Sequence, residues 1–509
     1  MFVLPNSLIK TGADRLLGHH SLRLLLLILP LVVACSSEHT DSLRFALQSM
    51  PVTLDPRYAT DAAASRVNRL LYQRLVDFDD TFNAVAELAD WQALTPTHYR
   101  FMLRPQQGEF HHGRRLNTRD IKATFDFILD QGNASPHRSS LAIISRIEMI
   151  DDDRIDFFLS EADSLFPTRL GIAILPAELI ASGHDFKRHP VGSGPFRFVA
   201  NPSPALLRLQ RIRDGQNIDF IHVPNPTTRV LKLVNGEIDM LQNDISPELQ
   251  AYLEQQEGLR LKRRVGTNFT YLGLNLESNT LNDLRVRRAL AHAIDRDQII
   301  EHLFQHAARP ADTVLVKEHW AANTSLEPYS YAPDVARRLL REAGYDADHP
   351  LRLTYKTSSD PFRIRLATVI QSQLQSVGVD VDIRSYDWGT FYGDIKAGRF
   401  QLFSLSWVGI KSPDIFRYVF HSKAVPPEGA NRGHYVNHQV DNLIEAASLE
   451  NDIDSQAQYY QKIQQIIHRD LPYVPLWYED HVFISRDTIN DYTLSADGDY
   501  EGLLTVSGQ

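Results

Sequence analysis

Residues 351–407 alternate between strand and helix patterns, and this alternation restricts the fold more than any other feature of the chain. Apolar residues at helical spacing lie between short apolar runs, and Gly378 and Gly398 follow the two helical segments. The pattern predicts, in order, a strand at 351–357, a helix at 362–377, a strand at 379–383, a helix at 388–397 and a strand at 400–407. This order is typical of parallel strands with helices packed against the sheet, so the sequence predicts an α/β fold.

The third of these strands runs into the segment FSLSWVGIKSPDIF (403–416), which we predict to face a ligand. In open α/β sheets, ligands bind beyond the carboxyl ends of the strands, and Trp407 lies at such an end. Aromatic side chains with polar tips suit a concave binding site. We therefore predict that Trp407 lines a pocket, with Tyr386 and Trp388 from the preceding turn and Gly409, Lys411 and Asp414 from the turn that follows. The neighbouring Phe391 and Phe416 are expected in the core.

Length and charge set the broad class. The chain has 509 residues, which indicates two to four domains at about 150 residues per domain. Hydrophobic residues make up 43% and charged residues 23%, as in ordinary globular proteins. The net charge of −10 argues against a nucleic-acid partner.

No motif indicates catalysis, a metal or a cofactor. The nucleophile motif GxSxG and the zinc motif HExxH are absent, and Cys35 is the only cysteine. The adjacent His111 and His112 lack further ligands at matched spacing, so a structural hydrogen bond in a loop is expected. The loop 190–195 (PVGSGP) lacks the GK[ST] of a phosphate-binding loop and is expected to be a structural crossover. We predict that the protein is not an enzyme and that it has no cofactor and no metal site.

The N-terminus predicts export and a lipid anchor. Basic residues in the first 23 positions precede the apolar run 24–34, which is about half as long as a membrane-spanning helix. The residues VVAC ending at Cys35 resemble a bacterial lipobox, which implies cleavage of the signal peptide 1–34 and acylation of Cys35. Residues 35–40 would then form a tether. The alternative is a chance cysteine after a signal peptide that is cut elsewhere.

Six motifs in order resemble the solute-binding protein family 5 receptors of ABC transporters, the class that includes dipeptide- and oligopeptide-binding proteins. The motifs lie at 54–56 with 71–77 (LDP, LYQRLVD), 101–104 with 110–113 (FMLR, FHHG), 190–196 (PVGSGPF), 282–290 (NDLRVRRAL), 293–296 (AIDR) and 339–345 (LLREAGY). Each motif alone is weak evidence for the family, but the motifs occur in the family's order and span nearly the whole chain after the signal peptide.

The resemblance implies a two-lobed periplasmic-binding-protein-like clamp of class II, the large type with an extra subdomain in lobe I. Mixed sheets would carry flanking helices. Lobe I would comprise 41–270 plus 480–509, with 77–189 as the inserted subdomain, and lobe II would comprise 271–479. The chain would cross between lobes near 271–276 and 477–480, and hinge closure would trap the ligand.

The turn after Trp407 departs from the family pattern. In the peptide-binding relatives, an aspartate three residues after this tryptophan pairs with the peptide's ammonium group. This chain has Ile410 and Lys411 there, and its nearest acid is Asp414. Either Asp414 has taken over that contact, or Lys411 marks a ligand that is not a simple free-amine peptide. A lysine that faces the cleft should meet an anionic ligand or an internal acid; the remaining alternative is that Lys411 points into solvent.

The resemblance implies an acylated, substrate-binding lipoprotein of an ABC importer, which takes peptides and delivers them to permease subunits in the inner membrane. It would act as a monomer on the periplasmic face of the cell envelope, and the sequence leaves open whether the anchor lies in the inner or the outer membrane. Two alternatives remain. The ligand could be a non-peptide solute such as an oligosaccharide, an opine-like compound or a metal chelate, or the protein could be a sensory or accessory receptor without its own permease.

Overall fold

The computed structural model describes residues 42–105 and 108–508. The strands are β1 (Ser42–Leu47), β2 (Val76–Phe78), β3 (Ala84–Ala86), β4 (Ala89–Thr95), β5 (His98–Leu103), β6 (Ile144–Met149), β7 (Arg154–Leu159), β8 (Phe196–Ser203), β9 (Leu206–Arg211), β10 (Asn217–His222), β11 (Met240–Gln242), β12 (Leu259–Leu274), β13 (Ala308–Pro310), β14 (Leu351–Ser358), β15 (Val379–Tyr386), β16 (Leu402–Trp407), β17 (Tyr473–Arg486), β18 (Ile489–Asn490) and β19 (Ser507–Gly508).

The α-helices are α1 (Ala62–Leu71), α2 (Thr118–Leu129), α3 (Arg138–Leu141), α4 (Phe166–Arg169), α5 (Ala177–Ala181), α6 (Pro226–Val234), α7 (Pro247–Glu254), α8 (Leu284–Ala293), α9 (Arg296–Leu303), α10 (Pro333–Glu342), α11 (Pro361–Ser376), α12 (Trp388–Lys396), α13 (Ile415–Phe420), α14 (His438–Leu449) and α15 (Ile453–Asp470). The predicted signal peptide, the lipobox at Cys35 and the tether lie outside the described residues.

One mixed sheet runs through the molecule in the order β15-β14-β16-β12-β17-β11-β1-β10-β9-β8, with β13 paired to β17. Strands β12 and β17 pair antiparallel over most of their length, so they belong to both halves of the sheet. Their register shifts between Arg264 and Asn268. Such an irregularity is where a long strand pair can bend.

The two halves of the sheet present their carboxyl ends to each other. Strands β14, β15 and β16 are parallel, and β16 ends with Trp407 paired to Phe269, near the middle of β12. In the other half, β1 and β11 are parallel, and β11 ends with Gln242 paired to Phe483 in β17. Because ligands of α/β sheets bind at carboxyl ends, the gap between these two edges is the place to search for a site.

A separate sheet, β4-β5-β7-β6, packs with α2 around its own apolar core, which includes Phe101, Phe125 and Phe157. It lies within residues 77–189, for which the sequence predicts an inserted subdomain. The boundaries of that subdomain and of the two lobes stay predictions.

The predicted alternation of strands and helices over 351–407 is confirmed, and all three strands are parallel. Helix α1 ends at Leu71, because the chain turns extended at Tyr72. Helix α2 is capped by Asn117, whose side chain accepts a hydrogen bond from the backbone N–H of Arg119, and Asp120 completes the capping box.

Candidate functional site

Trp407 at the end of β16 packs into an aromatic cluster on one face of the sheet. Its ring stacks on Tyr271 at a centroid distance of 6.4 Å, and the Cζ of Arg432 lies 4.9 Å from its centroid. Its indole Nε1 is buried and has no hydrogen-bond partner among the described residues. A buried indole N–H normally finds a partner, so this donor is one that a ligand could satisfy.

Lys411 is held by acids of the C-terminal segment. Its Nζ contacts the carboxylates of Asp497 and Asp499, the latter at 3.0 Å, and 18% of its side chain is exposed. Burial acts to raise the pKa of Asp497, but the charge of Lys411 and local hydrogen bonds lower it below its usual value. At Asp499, burial outweighs the charges of Lys411 and Arg69 and raises the pKa. Of the alternatives for Lys411, the internal acid is therefore the one observed.

Asp414 also has an internal partner. Its Oδ1 accepts a hydrogen bond from Nη2 of Arg169 at 3.2 Å, and Arg169 is further bound to Asp163. Arg169 is the last residue of α4 and Asp163 lies just before that helix, in the segment predicted as the inserted subdomain. In this structure the carboxylate that could have replaced the missing acid is thus paired with a protein cation.

The remaining predicted residues lie around the same strand ends. Gly409 adopts a left-handed φ of +66°, which leaves the turn open on that side because an added Cβ would meet no atom within 4 Å. Trp388 is 60% exposed and stacks on Tyr392, and Tyr392 in turn faces Arg432. Arg432 therefore connects the Trp388 pair to Trp407. Tyr386 lies apart from this stack, with the Nζ of Lys356 5.4 Å from its ring.

A network of charged and polar side chains that the sequence did not predict lies where β12 and β17 cross the gap. Arg363, in the first turn of α11, donates from Nη1 to Oε1 of Glu479 at 2.8 Å and from Nη2 to Oε2 at 3.3 Å. Thr270 donates to the same Oε1 at 2.8 Å. Burial acts to raise the pKa of Glu479, but Arg363 and these hydrogen bonds lower it below the usual value. The position of Arg363 directly after a strand end is the sequence signal that could have found it.

Asp244 is a second residue that the sequence did not indicate. It follows β11 and faces the gap from the other half of the sheet, with an exposed side chain. No described residue forms an ion pair with it. Burial nevertheless raises its pKa against the opposing charges of Arg66, Arg229 and Arg363.

A cavity of about 650 Å³ is lined on one side by residues of the small sheet and on the other by loop and helix residues from later in the chain. Its aromatic lining includes Trp91, Tyr99 and Trp320. Its size falls within the range of small-molecule sites, roughly 300–1,000 Å³. Of the six predicted ligand residues, Lys411 alone lines this cavity.

His111 has the structural role that the sequence predicts. Its Nδ1 accepts from the backbone N–H of Gly192 at 3.4 Å, and its Nε2 donates to the carbonyl of Gly194 at 3.0 Å. These bonds fix the loop 190–195 against the loop that carries His111, as expected for a structural crossover. Within residues 42–105 and 108–508, no group of three or more His, Cys, Asp or Glu side chains is arranged to hold a metal ion.

The family model for bacterial extracellular solute-binding proteins, family 5, matches residues 83–425, about two thirds of the chain. The chain belongs to this family. The resemblance seen in the sequence motifs is therefore confirmed, and the family consists of solute-binding receptors rather than enzymes.

Two curated relatives match along nearly their whole length. The dipeptide-binding protein of Escherichia coli is 26% identical over 492 residues, covering 89% of this chain and 91% of its own. Di/tripeptide-binding protein 2 of Pseudomonas aeruginosa is 27% identical over 515 residues, covering 93% and 97%. This solute-binding protein is thus similar to them over most of its length.

Solved structures agree on the fold. The periplasmic binding protein DppA of Helicobacter pylori, in complex with the peptide STSA, has a TM-score of 0.79 at 25% identity and covers 92% of this chain and 98% of its own. The predicted periplasmic-binding-protein fold, with mixed sheets and flanking helices, is confirmed. Among the described residues, no helix combines the length and apolar character needed to cross a membrane.

Proposed function

We propose that this family 5 protein is the substrate-binding subunit of an ABC importer, and that it captures peptides between two lobes and delivers them to a membrane permease. The observation that carries the proposal is the facing pair of carboxyl strand edges joined by β12 and β17, in a chain similar over most of its length to dipeptide-binding proteins. A pair of long shared strands with a register shift suits a hinge between rigid halves.

The lobes in this proposal are those of the sequence prediction, with lobe I at 41–270 plus 480–509 and lobe II at 271–479. Two ion-pair groups then join separate bodies. Lys411 of lobe II binds Asp497 and Asp499 of lobe I, and Asp414 of lobe II binds Arg169 of the inserted subdomain. We propose that both groups form on closure, and that Trp407, Gly409, Tyr386 and Trp388 are the predicted residues that face the ligand.

Attachment to the membrane belongs to the same proposal. Acylation of Cys35 would hold the receptor as a monomer at the periplasmic face of the cell envelope, beside its permease. The acyl chain would attach the protein to the membrane, so the acidic body of the protein would not need to be attracted to the lipid surface by charge.

Native mass spectrometry tests the ligand class. The protein is produced without residues 1–35 and measured as purified and after refolding with a mixture of di- to pentapeptides. Bound masses that fragment as peptides would support the proposal. A preparation that takes up no peptide and releases another mass on unfolding would replace the peptide with a non-peptide solute.

A further inference from the structure

The hairpin of β2 and β3 carries an aromatic side chain that packs outside its own part of the molecule. Phe82, in the turn between the two strands, is 4% exposed, but it does not belong to the apolar core of the small sheet. It is buried in the apolar cluster that includes Phe403, Phe416 and Tyr460, and Leu165 is buried in the same cluster. Two residues of the segment predicted as the inserted subdomain therefore lie in the core of predicted lobe II.

The ring of Phe82 stacks on His319. The two ring centroids are 5.3 Å apart and the ring planes differ by 6°. His319 is itself buried, and its Nδ1 accepts from the backbone N–H of Ala321 at 3.0 Å while its Nε2 donates to the carbonyl of Lys411 at 3.3 Å. The hairpin thus contacts, through one side chain, the same turn whose ammonium group is bound by two aspartates.

The backbone of Phe82 is strained. Its φ of +66° is left-handed, which is rare for a bulky residue. The side chain of Asp79 fixes the turn by accepting hydrogen bonds from the backbone N–H groups of Thr81 and Asn83, each at 2.9 Å. Strain of this kind persists only where the surroundings enforce it, and it is found at switch regions. Burial of the ring against His319 offsets that strain in this structure.

Polar contacts extend the same seam towards α4. The backbone N–H of Ser164 donates to the carbonyl of Ser448 at 2.8 Å, and Oγ1 of Thr168 lies 3.4 Å from Oγ of Ser412. If the lobes separated, water would replace these hydrogen bonds, whereas the two buried apolar side chains would become exposed. The apolar contacts are therefore the larger loss on opening.

We propose that the β2–β3 hairpin is a latch, in which Phe82 stabilises the closed form of the protein even without a ligand. The inference rests on the two lobes and the hinge of the proposed function, and it adds a contribution to closure that does not depend on the solute. A contact made only in the closed state shifts the population towards that state. The latch therefore strengthens the binding of every ligand that the closed form holds.

Two cysteines across the seam measure the latch. Thr168→Cys and Ser412→Cys are introduced into the protein without residues 1–35, which has no other cysteine. With no ligand added, the rate of disulfide formation under copper phenanthroline follows the closed fraction. The rate of modification by a maleimide–polyethylene glycol that is too large to enter the closed seam follows the open fraction. The ratio of the two rates is then proportional to the equilibrium constant for closure.

The test variant is Phe82→Asn, because asparagine tolerates left-handed backbone and so keeps the turn. It should lower the ratio by roughly 30-fold, as expected for the burial of one large apolar side chain. The matched control is Val85→Asn on the same hairpin, where the side chain is 37% exposed. That substitution should leave the ratio within about twofold of its original value. Circular dichroism checks that both variants are folded.

A ratio that Phe82→Asn leaves unchanged, or that both variants lower equally, overturns the latch. So does a dithiol protein that never forms the disulfide while Phe82 is present, since the closed form would then be unpopulated, or a seam that the maleimide never reaches. No peptide enters this measurement. Failure of the latch is therefore distinct from failure of the proposed peptide function, which native mass spectrometry tests by itself.

Discussion

At the scale of single residues, Lys411 shows how an unusual side chain is accommodated. Lys411 lies in the turn where the family pattern predicts a ligand-binding aspartate. Its ammonium group forms ion pairs with two aspartates of the same chain, Asp497 and Asp499. Asp499 is shared with Arg69, whose Nε lies 2.8 Å from it, whereas Lys411 is the sole ion-pair partner recorded for Asp497 among the described residues. The ammonium group of Lys411 therefore offsets the repulsion between the two neighbouring, largely buried carboxylates of Asp497 and Asp499.

Lys411→Met should lower the free energy of unfolding by about 3 kcal/mol, because it leaves the buried Asp497 carboxylate without a counter-charge. Urea denaturation at pH 7 measures the change. Adding Asp497→Asn to the Met variant should restore more than half of the loss, since the uncompensated charge is then removed. Equal instability of the single and double variants would show that the ion pair is not the cause.

At the scale of elements, close backbone contacts fix where loops meet helices. The loop 190–195 packs directly on the end of α1, and the N–H of Gly194 donates to the carbonyl of Leu71. A Cβ on Gly194 would lie 2.5 Å from the carbonyl oxygen of Leu70. Since Leu70 and Leu71 are themselves in the core, the helix end has little room to yield.

Gly194→Ala should therefore reduce the free energy of unfolding by about 3 kcal/mol through overpacking. The matched control is Gly393→Ala within α12, where an added Cβ meets nothing within 4 Å. That substitution should stabilise the protein by up to about 1 kcal/mol, because alanine favours helix. Similar thermal midpoints for the two variants would contradict the argument from close contact.

At the scale of the whole molecule, a buried histidine connects the gap to the C-terminal segment. Burial and the charge of Arg66 lower the pKa of His481 to about 4, although the charges of Asp497 and Glu479 oppose them. Asn243 donates to Nδ1, so the ring is neutral and Nε2 donates to the carbonyl of Ala496. If Nδ1 of His481 were protonated, its N–H would point at the amide N–H of Asn243, and the hydrogen bond between the two side chains would be lost.

His481 should therefore make stability depend on pH. Its pKa is lower when folded (about 4) than in the reference state (6.5), so the unfolded chain binds more protons between these values. The contribution is complete above pH 6.5 and is lost as the pH falls through 4, with a total of about 3 kcal/mol.

Urea denaturation from pH 7.5 to pH 4 measures this dependence in the wild type and in His481→Asn. The variant should show a shallower loss of stability over that range, while the difference between the two proteins at pH 7.5 reports only the lost hydrogen bonds. His319, whose pKa burial also lowers to about 4, remains in the variant and accounts for part of the residual slope. Parallel curves would exclude the role assigned to His481.

The sequence by itself determined the local and repetitive parts of this protein. Periodic apolar residues with glycine stops were enough to predict the parallel strands β14, β15 and β16, because helix and strand periods follow directly from backbone geometry. Six ordered motifs were enough to predict the family. The sequence does not fix the start of α2, because Asn117 and Thr118 are both good capping residues and only the backbone angles distinguish them.

Only the tertiary structure decided how the charges are partnered. Lys411 and Asp497 are 86 positions apart, and Arg363 and Glu479 are 116 apart, so no spacing rule links them. Asp244 follows a three-residue strand with no motif around it, and its unpaired state depends on what the rest of the fold places near it. An ion pair forms only when two charged groups come within a few ångströms of each other. Segments that are distant in the sequence reach that separation only when both halves of the sheet have formed.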